Sequence, residues 1–385
     1  MRRGSPPPKS VADRYNLPAQ CCIVLQQQFP EVAESGTVGD ADSGVPLLAE
    51  PAIGSVQRKG REAGNRRQVL REHTMVTAAQ HVIIALNPRA GSRTRGELAQ
   101  QLAELLQSHG FHASISTNVE QLCLETRRLR AAGQLRAVVA AGGDGTAALI
   151  AQSTEPGIPM AILPLGTENL LAKELGVTRD PARLCQAICR GQTRQLDAGL
   201  AAGRLFLLML GCGFDAEVVH RLHATRKGHI RHLAYAKPIL DCIRNYQYPK
   251  LRVYCQSAPS EQSGKRQTGI APTGRKTGCF IARWVFVANL PQYALGLKMA
   301  PEARGDDGQL DVCAFQRGSL WHGLRYLTGV ITRRHTMWRD VVQCRALRLR
   351  IEADEAVPYQ LDGDPGGFLP VDVEVLPGRL TVIVS

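Results

Sequence analysis

A glycine-rich turn between an apolar strand and a helix is the sequence feature that most constrains this fold. The turn Gly142-Gly143-Asp144-Gly145-Thr146 follows the apolar run 137–141 and precedes a helical stretch. Glycine lets the backbone approach a phosphate, and free N–H groups at a helix start can bind it. A carboxylate beside phosphates is costly unless it binds Mg²⁺ or a proton. The turn favours a phosphate site, although a plain turn capped by Asp144 is also consistent with these residues.

Strands and helices alternate around this turn. We predict strands at 81–86, 111–117, 137–141 and 160–163, and helices at 97–109 and 119–132. This alternation is typical of a parallel sheet with crossover helices. We assign residues 81–195 to such an α/β domain.

Two further loops follow strands of the same predicted sheet. Residues 164–169 (PLGTEN) follow the strand at 160–163 and begin a helix that carries Lys173, and residues 87–92 (NPRAGS) follow the first strand. Because parallel strands end at one edge, the three loops should form one crevice, where open parallel sheets bind ligands. Neither a Walker A sequence nor GxGxxG occurs, which disfavours the P-loop and dinucleotide-binding folds.

The pattern changes near residue 196. We predict strands at 205–210, 250–256, 279–289, 310–316, 346–352 and 380–385, and helices at 222–246 and 320–337. Short strands with long connections indicate a mainly antiparallel sheet or sandwich. We assign it to residues 196–360, with a flexible loop at 257–278.

Residues 1–74 differ from the rest of the chain. They contain scattered Pro, Gly, Ser and Gln without a sustained apolar period, so we predict a disordered extension. Met75 stands just before the first strand, and translation starting there is the alternative.

The charge balance favours an anionic partner. Lys and Arg number 47 against 34 Asp and Glu, a net charge of +13, which suits a nucleotide, a nucleic acid or an acidic membrane surface. No basic patch with interleaved aromatic residues occurs, so we do not expect nucleic acid. No apolar run reaches the ~18 residues that span a bilayer, and no secretory signal follows the basic start. The 11 Cys form no CxxC pair, which fits free thiols in the cytoplasm.

Six motifs in order resemble the diacylglycerol kinase catalytic-domain family, which includes bacterial diacylglycerol kinases, YegS-type lipid kinases, and sphingosine and ceramide kinases. They are NPRAG at 87–91, GGDGT at 142–146, PLGTEN at 164–169, GCGFDA at 211–216, DDGQLDV at 306–312 and LDGD at 361–364. The resemblance implies a nucleotide domain like that of phosphofructokinases and NAD kinases, followed by a β-sandwich. It also implies that residues 361–385 return to complete the first domain.

The resemblance implies roles for individual residues. Those similar to nucleotide-binding residues are Asn87, Gly143, Asp144, Gly145, Thr146, Gly166, Thr167, Asn169, Lys173 and Lys227. Asp144 and Asp197 are similar to carboxylates that hold the catalytic Mg²⁺, and Asp307 to the ligand of a structural Mg²⁺. Asp362 is similar to the proposed general base. Without the resemblance, Asp197 could be a turn residue and Asp307 part of a hairpin turn, and for Asp362, which precedes Gly363, a hairpin turn would be the favoured interpretation.

The implied function is an ATP- and Mg²⁺-dependent kinase of diacylglycerol, a sphingoid base or a related lipid. The sequence departs from the family at Ala148-Leu149, where many relatives have Asn-Glu, and at Asp364, where Glu is frequent. Two alternatives stay open: an NAD-kinase-like enzyme with a soluble acceptor, and a non-catalytic lipid- or nucleotide-binding module. A homodimer is compatible with all three.

Residues 318–340 mix Leu, Trp, Ile and Met with Arg and His. One interpretation is an amphipathic helix lying on anionic lipid. The other, which we favour from the sequence, is a helix packed on the sandwich with its basic face in water. Weak peripheral contact at the inner face of the membrane is compatible with either.

Overall fold

The computed structural model describes residues 80–87, 93–225, 246–257 and 277–384. The predictions for residues 1–74, for Lys227 and for the loop interior 258–276 lie outside these ranges. All described residues belong to one structural unit, residues 76–385.

The first half of this unit alternates strands and helices, as the apolar pattern predicts. In chain order its elements are β1 (His81–Leu86), α1 (Arg93–Ser108), β2 (His112–Ser116), α2 (Val119–Ala131), β3 (Leu135–Gly142), α3 (Asp144–Ser153), β4 (Pro159–Pro164), α4 (Leu170–Glu174), α5 (Pro181–Arg190) and β5 (Thr193–Ala201). Strands β1 to β4 pair in parallel in the order β2-β1-β3-β4. Asn87, the residue after β1, and the loops after β3 and β4 therefore lie at one edge of the sheet, while the rest of the predicted NPRAGS loop, 88–92, lies outside the described ranges.

Helices cover both faces of this parallel sheet. Leu102 of α1 and Leu184 of α5 are buried against one face, and Leu129 of α2 and Ile150 of α3 against the other. These helices carry their apolar residues three and four apart, so each presents one apolar side to the sheet. The predicted α/β fold, a parallel sheet with crossover helices, is confirmed.

Helix α5 shows how local chemistry sets the ends of an element. The Asp180 side chain accepts hydrogen bonds from the N–H groups of Ala182 and Arg183, and Pro181 occupies the first turn. Gly191 ends the helix in the left-handed region at φ 68°. An acidic cap, an early Pro and a terminal Gly are the usual boundaries of a helix.

The second half of the unit is mainly antiparallel. Its elements are β6 (Arg204–Phe206), β7 (Met209–Cys212), α6 (Phe214–Thr225), β8 (Leu251–Gln256), β9 (Thr277–Ala282), β10 (Trp284–Ala288), β11 (Leu310–Phe315), α7 (Leu320–Ile331), β12 (Val341–Ala346), β13 (Arg348–Ala353), β14 (Pro358–Leu361), β15 (Asp364–Phe368) and β16 (Val371–Ile383). A six-stranded sheet runs β12-β11-β10-β7-β14-β15, and every pair in it is antiparallel.

Two sheets enclose the second core. The first sheet continues from β4 through β16, β13 and β8 to β9. Val253 and Ile351 of this extension share one buried cluster with Val287 and Val312 of the six-stranded sheet. Strands that bury alternate side chains between two layers define a sandwich, so the predicted β-sandwich is confirmed.

Strand β16 joins the parallel and antiparallel parts. It pairs in parallel with β4 at Thr381 and Val382, and antiparallel with β13 and β5. Its register with β5 shifts between Leu376 and Leu380. Strand β16 therefore lies between the parallel strands β1 to β4 and the antiparallel strands of the sandwich.

Several predicted elements differ from the structure. The predicted helix at 222–246 overlaps only the end of α6, Phe214–Thr225, and residues 226–245 lie outside the described ranges. The predicted strand at 380–385 is the end of the longer β16, which begins at Val371.

The prediction of a single strand at 205–210 is wrong, because β6 ends at Phe206 and β7 begins at Met209. The N–H groups of Leu207, Leu208 and Met209 donate to the Asp362 side chain and not to a neighbouring strand. The strand at 279–289 is interrupted at Arg283, whose N–H donates to the Phe315 carbonyl. The helix at 320–337 ends at Ile331, before a short 3₁₀ turn.

Candidate active site

The loops after β3 and β4 touch through two glycines. A Cβ atom on Gly166 would lie 2.5 Å from the Cα of Gly143, a distance no side chain tolerates. The N–H groups of Leu165 and Gly166 both donate to the Gly142 carbonyl, at 2.8 and 3.2 Å. Close backbone approach requires Gly at position 166 and leaves little room at position 143, where a Cβ would lie 3.3 Å from the Cα of Gly166. The structure thus brings the GGDGT and PLGTEN motifs together.

Asp144 binds the second loop and does not cap its own helix. Gly143 occupies the N-cap position of α3. The Asp144 carboxylate instead accepts hydrogen bonds from the N–H groups of Leu170 and Leu171, at 3.0 and 2.9 Å. These N–H groups begin α4, where a negative charge is stabilised. Each carboxylate oxygen keeps a second lone pair, so Asp144 can still offer an oxygen to a cation.

A hydrogen bond joins Asn87, the residue after β1, to Thr146 of the GGDGT turn after β3. The Asn87 amide nitrogen lies 3.2 Å from the Thr146 hydroxyl oxygen, to which it donates. Thr146 is buried beneath the glycine turn, and a Cβ on Gly142 would clash with it. Gly145 lies in the first turn of α3. Five predicted nucleotide-binding residues, Asn87 and 143–146, therefore lie at one sheet edge.

The PLGTEN loop is shaped by its own Asn. Asn169 has a left-handed backbone at φ 49°, and its side chain accepts from the Gly166 N–H at 2.8 Å and donates to the Gly166 carbonyl at 2.9 Å. Arg179, which the sequence reasoning missed, donates to the carbonyls of Pro164 and Gly166. Asn at a left-handed position is a sequence signal for such a turn. Thr167 at the loop tip is exposed.

Lys173 pairs with an acid of the same loop. Its ammonium lies 3.4 Å from Glu168, and its side chain is 56% exposed. An exposed pair of this kind is weak, so the Lys173 charge can be redirected to an anion in the crevice. Its predicted role in nucleotide binding stays a prediction.

Asp362 reaches this edge from the sandwich. It follows β14 with a left-handed backbone at φ 50°. Its Oδ1 accepts hydrogen bonds from the N–H groups of Leu208 and Met209, both at 2.9 Å, and its Oδ2 accepts from Leu207 at 2.7 Å. A carboxylate offers about four acceptor positions, so one position on Oδ2 stays open.

The pKa of Asp362 is raised from 3.8 to about 6. Burial is the largest cause, the three N–H donors oppose it, and the negative charge of Asp144 raises it further. The structure therefore brings two predicted site residues, Asp144 and Asp362, into one electrostatic environment. A carboxylate with a pKa near 6 is suited to accept a proton close to neutral pH.

A second carboxylate of the LDGD motif faces the glycine turn. Asp364 is exposed at the start of β15, and its Oδ2 would lie 3.7 Å from a Cβ placed on Gly145. The motif thus supplies two carboxylates to the crevice. The sequence reasoning noted Asp364 only as a departure from the family, yet its two-residue spacing from Asp362 was the available signal.

A buried polar pair supports the LDGD turn. The Gln360 side chain is fully buried; it donates to Asp215 Oδ2 at 3.2 Å and accepts from the Gly363 N–H at 2.7 Å. Tyr293 also donates to Asp215, at 3.2 Å. Burial raises the pKa of Asp215 to about 6, although these hydrogen bonds oppose the shift. The GCGFDA motif therefore positions the turn that carries Asp362.

Asp197 lies away from Asp144 in the hydrogen-bond network. It is buried, and its two oxygens accept from the N–H groups of Gly308 and Gly378, each at 2.7 Å. Within the described part of the chain, no hydrogen bond or ion pair joins Asp197 to Asp144. Its predicted place in the catalytic Mg²⁺ network stays a prediction.

The residues around Asp307 fit a cation. Asp307 Oδ1 accepts from the Gln309 N–H at 3.1 Å, while its Oδ2 is buried and receives no hydrogen bond. Asp311, which the sequence reasoning missed, has an equally buried Oδ2 without a donor. Arg345 donates to Asp311 Oδ1 at 3.2 Å, and its Nη1 also lies 3.9 Å from Asp307 Oδ2, an ion pair without a hydrogen bond. Two unsatisfied carboxylate oxygens match the oxygen ligands that Mg²⁺ prefers.

Comparison with known proteins agrees with this architecture. Residues 81–201 match the family model of the diacylglycerol kinase catalytic domain, and residues 209–384 match that of the YegS C-terminal NAD kinase β-sandwich-like domain. A diacylglycerol kinase of Bacillus subtilis is 22% identical over 74% of this chain and 90% of its own length. A "Probable lipid kinase YegS-like" of Pseudomonas aeruginosa is 29% identical over 64% of this chain and 75% of its own.

Solved structures share the fold. A crystal structure of a diacylglycerol kinase from Bacillus anthracis superposes with a TM-score of 0.57 at 22% identity, covering 80% of this chain and 98% of that one.

The fold, with the glycine loops meeting at one edge of its parallel sheet, is that of an α/β kinase domain joined to an antiparallel β-sandwich. With both family models matched in order, the chain belongs to the diacylglycerol kinase catalytic-domain family. Within the described ranges, no helix has the length and apolar character needed to cross a membrane.

Proposed function

We propose that this protein is an ATP- and Mg²⁺-dependent lipid kinase, acting at the membrane surface. It transfers the γ-phosphoryl group to a hydroxyl of diacylglycerol, a sphingoid base or a related lipid. The family and the named relatives support a lipid kinase. The use of ATP and Mg²⁺ and the class of acceptor are inferred from the chemistry of the residues in the crevice between the glycine loops and Asp362.

The observation that carries the proposal is the meeting of Asp362 with the glycine loops. A base from the sandwich, whose pKa is raised to about 6, lies in the field of Asp144 beside a phosphate-type turn. Phosphoryl transfer needs a positioned nucleophile and neutralised phosphate charge more than covalent help from the protein. A carboxylate near the turn can position the acceptor hydroxyl, the nucleophile, by accepting its proton.

The proposed reaction uses the chain's own groups as follows. Backbone N–H groups of the glycine turn hold the phosphates, and Lys173 leaves Glu168 to contact them. The open lone pair of Asp362 Oδ2 accepts the proton of the acceptor hydroxyl as its oxygen bonds to the γ-phosphorus. The bond from that phosphorus to the bridging oxygen breaks, and ADP leaves. Bound through Asp144, Mg²⁺ would neutralise phosphate charge.

The test uses the full chain, γ-labelled ATP and Mg²⁺. Diacylglycerol, sphingosine and ceramide are offered in mixed micelles, and NAD is offered in solution. We expect label on a lipid hydroxyl. Label on NAD would contradict the lipid assignment and favour the soluble-acceptor alternative. Bound ATP without transfer to any acceptor would favour a binding module.

A further inference from the structure

Helix α7 presents an apolar stripe to solvent. Its exposed members, with the exposed fraction of each, are Leu320 (41%), Trp321 (78%), Leu324 (45%), Leu327 (45%) and Ile331 (61%), followed by Met337 (80%) in the next turn. These are six of the 11 large apolar residues that are exposed in the described ranges. Spacings of three and four place Leu320, Leu324, Leu327 and Ile331 along one side of the helix. We call these six residues the α7 face.

The opposite side of α7 is already buried. Tyr326, Gly329 and Val330 pack on the sandwich, and a Cβ on Gly329 would clash with the Trp338 ring. The helix therefore has a complete core-facing side, and the α7 face is a second apolar side. The expected packing of this helix on the sandwich is therefore found, but its outward side is apolar, with the basic residues flanking it, and not basic as expected.

The flanks of the α7 face are basic. Residues 316–339 contain no Asp or Glu and five Arg. Arg317, Arg333, Arg334 and Arg339 are exposed. The next acid, Asp340, is engaged by Arg325 at 2.7 Å and by the Tyr326 hydroxyl at 2.8 Å, and its side chain is only 14% exposed. An apolar stripe with an arginine rim complements anionic headgroups above an apolar layer.

The arginine rim also argues against a second copy of this chain as the occupant. A two-fold contact would place the same patch on both sides of the interface. The exposed Arg333, Arg334 and Arg339 of one copy would then face those of the other. Residues 316–339 contain no acid to pair them, and Asp340 is already engaged by Arg325 and Arg317. A bilayer with anionic lipids meets the same residues with opposite charge.

Aromatic packing fixes α7 relative to the candidate active site. Trp284 lies 6.3 Å from the Tyr326 ring of α7 and 5.3 Å from Phe214, the residue before Asp215. Asp215 in turn binds Gln360, which holds the LDGD turn. Docking through α7 would therefore orient the crevice relative to a lipid surface.

We propose that the α7 face docks on an anionic membrane, with the helix parallel to the surface and Trp321 at the level of the headgroups. The docking brings the kinase to an acceptor that lives in the bilayer, and in this it rests on the proposed function. The surface contact itself depends only on the α7 face and its arginine rim.

The test measures binding of the full chain to vesicles of phosphatidylcholine with and without phosphatidylglycerol. We expect binding only with the anionic lipid, weakening as salt is raised. The double variant Trp321→Ser/Leu324→Ser should bind at least about tenfold more weakly. Leu124→Ser is the matched control, because Leu124 is 63% exposed on α2, away from the α7 face. Equal vesicle binding by the wild type and the double variant would overturn the proposal.

Two further readouts separate docking from catalysis. Transfer to a short-chain acceptor in solution should be unchanged in the double variant, since no residue of the α7 face belongs to the candidate site. Transfer to no lipid, with vesicle binding intact, would contradict the proposed function alone. A dimer in light scattering that the double variant abolishes would show that a second copy covers the face, and would overturn the membrane assignment.

Discussion

Asp362 combines a left-handed backbone with a carboxylate held by three N–H donors. A non-Gly residue in this region carries strain, which proteins keep mostly at functional positions. The donors hold the side chain at one angle, while burial, with a smaller contribution from the charge of Asp144, keeps its pKa high. These two effects make Asp362 a positioned base whose proton affinity exceeds that of an ordinary carboxylate.

Asp362→Asn should abolish turnover while ATP still binds. The amide keeps an oxygen for the N–H donors but cannot take the acceptor proton, so we expect kcat to fall by about 10²–10⁴-fold. Radiometric transfer measures kcat, and calorimetry measures ATP affinity. Asp372→Asn is the control, because the Asp372 side chain is 72% exposed and pairs with Arg350 on the sheet surface. Near-normal turnover in Asp362→Asn would remove it as the base.

The rate should depend on pH through the same carboxyl. Because the base must be ionised, kcat/KM should fall about tenfold per pH unit below about 6 and level off above it. Asp215 has a similar pKa, about 6, so Asp215→Asn tests the assignment and should keep the acid limb. Loss of the acid limb in Asp215→Asn would show that Asp215, and not Asp362, causes the fall of kcat/KM at low pH.

The raised pKa also has a consequence for stability. The folded pKa of Asp362, about 6, exceeds the ordinary value of 3.8. The folded protein therefore binds the proton more tightly than the unfolded chain does. This residue's contribution to stability is largest below pH 3.8 and is lost as pH rises through about 6.

At the scale of elements, the crevice depends on contact between the β3–α3 and β4–α4 loops. Gly166→Ala should separate them, because the new Cβ would lie 2.5 Å from backbone that cannot yield. We expect destabilisation of about 1–3 kcal/mol and weaker ATP binding, measured by thermal unfolding and calorimetry. Gly96→Ala in α1 is the control: nothing lies within 4 Å, and Ala favours a helix. Unchanged ATP binding in Gly166→Ala would contradict the loop assignment.

The turn before β11 should bind a divalent cation. We expect Mg²⁺ to raise the melting temperature of the wild type, and Asp311→Asn to reduce that rise while stabilising the apoprotein. Burial is the main cause of the raised pKa of Asp311, the ion pair with Arg345 opposes it and the charge of Asp307 adds to it. An uncharged amide therefore suits this buried position better than a carboxylate when no cation is bound. Asp306→Asn is the control, since Asp306 pairs with Arg194 at 2.7 Å. The same Mg²⁺ effect in Asp311→Asn and the wild type would exclude Asp311 as a ligand.

Elements were predictable where the pattern is local. Strand β1 is found where the apolar run predicts it, and the loops after β3 and β4 follow from glycine and motif positions. The break at 207–208 was not predictable, because its cause is Asp362, about 150 residues later in the chain. Asp311 was missed for the same reason: it looks like an ordinary strand residue until folding buries it near Asp307.

At the scale of the whole molecule, the candidate site exists because the chain returns. Strand β16 lies between the parallel sheet and the sandwich, and Gln360 links the LDGD turn to the buried Asp215. The motif order predicted which residues belong to the site. It could not predict that the N–H groups of Leu207, Leu208 and Met209, at the start of β7, would hold Asp362, because long-range pairing decides which backbone donors are free.

The most direct test of the central claim is mass spectrometry of the lipid after incubation with the full chain, Mg²⁺ and ATP. The account predicts that an acceptor lipid gains one phosphate group with the wild type and Asp372→Asn. It predicts no product with Asp362→Asn, although that variant still binds ATP. Phosphorylated lipid at the wild-type rate with Asp362→Asn would contradict the account, as would a wild type that binds ATP and phosphorylates no lipid.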